Sequence, residues 1–138
     1  MKFDNDLNAK IFNKVKNYRL RFLVFYSTFL GRINMFLRKI DYGGGIKFYG
    51  KTYFFRAPKS AISIGNNVVF RSDETSNQVG VVRKCIISTL CENAKISIGD
   101  SSGFSGISIG AANSICIGSH VLVGANTLIT DTNWHNID

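Results

Sequence analysis

The chain has 138 residues, room for one domain with a modest core but not for two ordinary domains. Its 45% apolar content and eleven Phe exclude extended disorder. The net charge of +8 is uneven: residues 1–40 hold nine Lys/Arg against Asp4 and Asp6, whereas residues 96–138 hold none against Asp100, Asp131 and Asp138.

The first forty residues read as one helical segment. Leu7, Ile11, Val15, Tyr18, Phe22, Phe25, Phe29, Ile33, Phe36 and Ile40 recur at steps of three or four, which keeps one apolar stripe along a helix. Lys10, Lys14, Lys16, Arg19, Arg21, Arg32, Arg38 and Lys39 flank it. The stripe is expected to pack on the rest of the domain or on a partner subunit. A second reading lays this basic, aromatic helix on an anionic membrane surface as a peripheral contact. The longest charge-free run before position 40, Phe22 to Gly31, is too short to span a bilayer and precedes no cleavage pattern. Tyr42-Gly43-Gly44-Gly45 closes the segment, so residues 1–42 form an amphipathic basic helix and 43–138 a second unit.

After Gly45 the period changes. Apolar pairs two apart are followed by Gly at Ile62/Ile64-Gly65, Ile96/Ile98-Gly99, Ile107/Ile109-Gly110, Ile115/Ile117-Gly118 and Val121/Val123-Gly124. Two apart means one face of a strand, and the Gly permits a corner. Ile117, Val123, Ile129 and His135 are six apart, as are Phe48 and Phe54, Ile64 and Phe70, and Ile98 and Phe104. A six-residue period fits a short strand plus a corner, three of which make one coil of a parallel β-helix. Ile98 to Ile117 is nineteen residues, one coil with an extra residue; Ile64 to Ile98 is thirty-four, close to two coils, with Arg71–Lys84 the irregular part. Phe48, Phe54, Phe70 and Phe104 are expected core rungs, and Asn113, Asn126 and His120 corners. Cys85, Cys91 and Cys116 cannot all pair and lack a CxxC spacing, so reduced, mostly buried thiols in a cytoplasmic protein are expected.

Ile64-Gly65-Asn66-Asn67-Val68, Ile117-Gly118-Ser119-His120-Val121 and Val123-Gly124-Ala125-Asn126-Thr127 resemble the hexapeptide-repeat transferases, whose fold is an all-β left-handed parallel β-helix. The stretch from Cys85-Ile86-Ile87-Ser88 through Gly103-Phe104-Ser105-Gly106 to Asp131-Thr132-Asn133-Trp134-His135 is similar to the bacterial acyltransferases that O-acetylate surface polysaccharides. The resemblance implies acetyl transfer from acetyl-CoA to a sugar or polysaccharide-precursor hydroxyl, in a homotrimer with active sites between adjacent prisms. It makes His135 the general base and Asp131 the group that orients its imidazole, while Ser105, Asn133 and Trp134 become candidate acceptor contacts. Family members commonly carry an acidic residue where this chain has Asn133. They also continue for several coils beyond the His, so the chain reads as truncated at the C-terminus.

A metal-dependent hydratase on the same prism needs three His per Zn²⁺, and only His120 and His135 are present, so no metal is expected. From another class, the alternative is a non-catalytic β-solenoid serving as a trimerisation or nucleic-acid-binding module. There the basic half and Tyr49, Tyr53, Phe54 and Phe55 would stack bases, although Phe54 belongs to the core ladder. Nucleic acid is the weaker partner.

Overall fold

Strands of two to four residues cannot bury a face alone, so they stack. The computed structural model describes residues 6–134. A 31-residue helix α1 (Leu7–Leu37) leads into β1 (Asp41–Tyr42), β2 (Lys47–Tyr49), β3 (Tyr53–Phe55), β4 (Ala61–Ile64), β5 (Val69–Arg71) and β6 (Ile86–Thr89). Then follow β7 (Lys95–Ile98), β8 (Gly103–Ser105), β9 (Ser108–Ala111), β10 (Ser114–Ile117), β11 (Leu122–Val123) and β12 (Leu128–Thr130). Every third strand falls in the same sheet, giving three parallel four-stranded sheets, β1-β4-β7-β10, β2-β5-β8-β11 and β3-β6-β9-β12. This is the arrangement of a parallel β-helix with four coils.

Register places like residues above one another. Tyr42, Ile64, Ile98 and Ile117 form one inward rung, and Phe48, Phe70, Phe104 and Val123 another. Phe54, Ile87, Ile109 and Ile129 form the third. Phe48, Phe70 and Phe104 stack in near-parallel planes with centroids 5.4 Å apart, and Phe54 meets Phe48 and Phe70 edge-on at 6.1 Å. The strand spacing of about 4.8 Å brings the rings into this range. At one corner Gly45, Asn67, Ser101 and His120 occupy the same place in successive coils, all with positive φ. His120 is exposed there, and its N–H donates to the Asp100 carbonyl at 2.8 Å.

Ile64 pairs directly with Ile98, so the thirty-four residues between them are one coil rather than the two expected. The excess is the irregular stretch between β5 and β6, where no strand forms and the chain leaves the prism before rejoining it at Ile86. Periodicity located this stretch but misjudged its contents, because a loop and an imperfect coil look alike without the pairing partner.

Helix α1 closes the β2 end of the prism. The free edge of β2 offers backbone N–H groups with no strand to receive them; Thr28 Oγ1 accepts that of Phe48 at 3.1 Å and Ser27 Oγ that of Gly50 at 3.2 Å. Gly31 lies on the Phe48 ring, where a Cβ would come within 2.5 Å of Cδ2. Met35 and Ile40 complete the seal in full burial. The helix ends at Leu37, so Ile40 reaches the core from beyond it.

Two further expectations are corrected. The apolar stripe does not pack on the rest of the domain: Leu7 through Phe36 of that series are exposed, and the docked face carries Ser27, Thr28, Gly31 and Met35 instead. Close approach to strand backbone favours small or hydroxylated side chains, which apolar periodicity does not mark. Of the three thiols only Cys85 is buried, because Cys116 points outward from β10 and Cys91 sits at a corner. Desolvation pushes the Cys85 thiol up in pKa, against a hydrogen bond with Ser72 that lowers it.

Phe70 sits between two stacked rings, so Phe70→Ala should cost about 3–5 kcal/mol in urea unfolding. Phe55→Ala, on an exposed outward position of β3, should change the midpoint little. Equal effects of the two would contradict the inward register.

Candidate active site

Of the residues singled out in the sequence, Asp131 has the most defined surroundings. β12 stacks on β9, with Thr130 opposite Gly110. Asp131 follows and turns its carboxylate onto the corner of the preceding coil. Oδ1 accepts the Ala112 N–H at 2.6 Å, and Oδ2 accepts those of Asn113 and Ser114 at 2.8 and 2.7 Å. Slight desolvation acts to raise its pKa, but the three N–H donors outweigh it and hold the carboxyl below its ordinary value. Asp131 thus fastens the third coil to the fourth at the corner leading into β10.

The chain beyond is held by hydroxyl groups. The Thr132 N–H donates to Thr130 Oγ1 and the Trp134 N–H to Thr132 Oγ1, both at 3.3 Å. Trp134 has φ of 63° and folds its indole onto the outer face of β9 at Gly110, where an added Cβ would lie 3.2 Å from Cζ2. The ring is 58% exposed, leaving surface for a further contact. Asn133 is exposed within this turn, and His135 lies outside the described residues.

Ser105 is elsewhere. It ends β8, at the corner between the second and third sheets, whereas Asp131 stands at the corner between the third and the first. Ser105 is buried, and its Oγ meets Asn77 Nδ2 at 3.1 Å. Beside it, on the outer face of the second sheet, is a recess of about 450 Å³ lined in part by Arg71, Asn77, Ser101 and Leu122. Within one chain, then, the structure brings Asp131 and Trp134 together and leaves Ser105 at the far corner of the third sheet.

Sequence reasoning missed Arg71, Asn77 and Arg83. Arg71 lies 4.1 Å over the Tyr49 ring and donates to the Ser76 carbonyl at 2.8 Å. Arg83 donates from Nε to the Gly106 carbonyl at 3.1 Å and from Nη2 to the Asn126 carbonyl, while Asn126 Oδ1 accepts the Val82 N–H at 3.1 Å. These bonds tie the excursion after β5 to the corner before β9 and β12. The Gly-Ala-Asn sequence around Asn126 marked a corner, and its φ of 64° makes it one. The residues in the excursion carry no periodic signal at all.

For the base-stacking alternative, Tyr53 and Phe55 stand outward on β3 with ring planes 3° apart, and Phe54 points into the core. Lys51 and Arg38 already lie over those two outward rings, at 4.7 and 5.7 Å. Among the described residues, no three of His, Cys, Asp and Glu gather where they could hold a metal. No protein-family model, curated protein or solved structure matches the chain.

Because the folded carboxyl of Asp131 has a depressed pKa, its contribution is complete above the unfolded value near 4 and is lost as pH falls through the lower folded value. Asp131→Asn should therefore lower the urea midpoint at neutral pH, and the gap to wild type should close on acidification. A gap unchanged between neutral pH and pH about 2 would show that the charge contributes nothing.

Proposed function

We propose that this chain is a left-handed hexapeptide-repeat acyltransferase, moving an acetyl group from acetyl-CoA to a hydroxyl of a sugar or polysaccharide precursor within a homotrimer. The observation that supports this most is the Asp131 clamp. Its carboxylate fixes the corner at residues 112–114 and thereby the base of the segment that leads to His135. General-base catalysis needs an imidazole held within hydrogen-bond reach of the acceptor, and a clamped, Trp-anchored segment is a means of holding one.

In this reading His135 takes the proton of the acceptor hydroxyl as its oxygen attacks the thioester carbonyl. Backbone N–H groups stabilise the tetrahedral oxyanion. Its collapse breaks the carbon–sulfur bond, and the imidazolium returns the proton to the departing CoA thiolate. Asp131 acts as a positioning residue: three N–H donors already occupy its oxygens, so its part is to hold the segment. Trp134 and Asn133 face the acceptor from the same turn. The far placement of Ser105 suits a trimer, in which the recess beside it on one subunit would face the His135 segment of the next and receive further sugar hydroxyls.

Release of free CoA thiol in the presence of sugar acceptors tests the proposal. His135→Ala should lower the rate by roughly 10²–10⁴-fold while acetyl-CoA binding stays unchanged. Full activity in His135→Ala would remove the assignment. Binding of single-stranded RNA, or trimer formation, with no acetyl-CoA binding would favour the non-catalytic solenoid.

A further inference from the structure

Helix α1 has two sides, and the prism uses one. At about 100° per residue, Leu20, Val24, Ser27, Thr28, Gly31 and Met35 share the docked side. Diametrically opposite, Ile11, Val15, Phe22, Phe29, Ile33 and Phe36 lie at the centre of an apolar face about 140° wide. This face is open to solvent along the whole helix: Phe12, Phe22 and Phe36 are 74%, 71% and 74% exposed. Lys14, Arg21 and Arg32 line one border, and Lys16 and Arg19 stand towards the other. From Leu7 to Leu37 there is no Asp or Glu. No ion pair among the described residues joins any of these cations to a carboxylate.

We infer that the outward face of α1 is a docking surface for an anionic lipid bilayer, with the helix lying in the plane of the interface. Among the described residues, no helix is long and apolar enough to cross a membrane. A helix with one wide apolar face and cations at its borders instead buries that face some 5–10 Å deep, among the headgroups, while the cations meet lipid phosphates. The charge selects this occupant over a second copy of the chain. Two such helices face to face would set Lys and Arg against Lys and Arg, with no carboxylate on either to answer them. Because the docked side covers the free edge of β2, the apolar side faces away from the prism, and a bilayer on it holds the prism upright with β10, β11 and β12 farthest from the lipid. If the acyl-transfer reading holds, acceptors assembled on a membrane would meet the Asp131–His135 segment on the water side. The docking surface itself does not depend on that reading.

Flotation of the full chain with vesicles tests the inference. The chain should rise with a two-to-one mixture of phosphatidylcholine and phosphatidylglycerol, remain behind with phosphatidylcholine alone, and be released by high salt. Exchanging Lys14, Arg21 and Arg32 for Gln should weaken partitioning roughly 100-fold, about fivefold for each cation. Phe12→Ser, Phe22→Ser and Phe36→Ser together should abolish flotation with little change in melting temperature, since these side chains are largely exposed. Failure to float with the mixed vesicles, equal flotation with both compositions, or flotation of the triple-Ser variant like wild type would each overturn the inference. So would an oligomer in sedimentation that the triple-Ser change disperses and the mixed vesicles do not, since a second copy would then occupy the face.

Discussion

Backbone hydrogen bonds running from coil to coil hold this molecule together. Each strand spans only two to four residues, far too few to be ordered alone, and each exists because an equivalent strand lies beside it in register. Register then does the packing. Once Ile64 pairs with Ile98 and Phe70 with Phe104, the inward side chains fall into columns without further specification. The corners follow suit: a left-handed residue recurs at one corner in every coil, as Gly45, Asn67, Ser101 and His120. Glycine accepts that conformation freely and asparagine tolerates it, but serine and histidine adopt it at a cost the stacked neighbours must offset.

Such a stack has ends, and the end at β2 shows how one is finished. A strand edge presents bare N–H groups and an exposed core rung, a standing invitation to other strands. Ser27 and Thr28 receive the N–H groups and Gly31 lets the helix lie flat on the Phe48 ring. The same helix therefore needs small polar residues on one side, and its large apolar residues are displaced to the other. This division explains why a helix carrying so many phenylalanines contributes so few of them to the core.

Much of the prism was legible in the sequence. Six-residue spacing marked Phe48, Phe54, Phe70, Phe104, Ile64 and Ile98 as inward, and each is buried. That signal is strong because one physical requirement, a buried rung per face, repeats in every coil. Where the requirement does not repeat, sequence reasoning failed. The excursion after β5 was located but counted as a coil, and Arg71, Asn77 and Arg83 bind across it through contacts fixed only by the folded chain. The helix misled for another reason. A regular apolar stripe usually faces the core, but here the docked face is chosen by how closely a backbone can approach. As for the site, sequence singled out Asp131 and Trp134, yet nothing in it revealed that the carboxylate would be taken up by Ala112, Asn113 and Ser114, or that Gly110 is the seat of the indole.

The sealed end has a bearing on assembly. With the β2 edge occupied by side chains of α1, no further strand can pair with β2, and the second sheet is closed on that side. A solenoid open at both ends can polymerise head to tail without limit. One whose edge strand is already occupied cannot be extended head to tail at that edge. Two hydroxyls and a glycine thus act as a chain terminator at the β2 edge, closing the second sheet there to head-to-tail strand pairing.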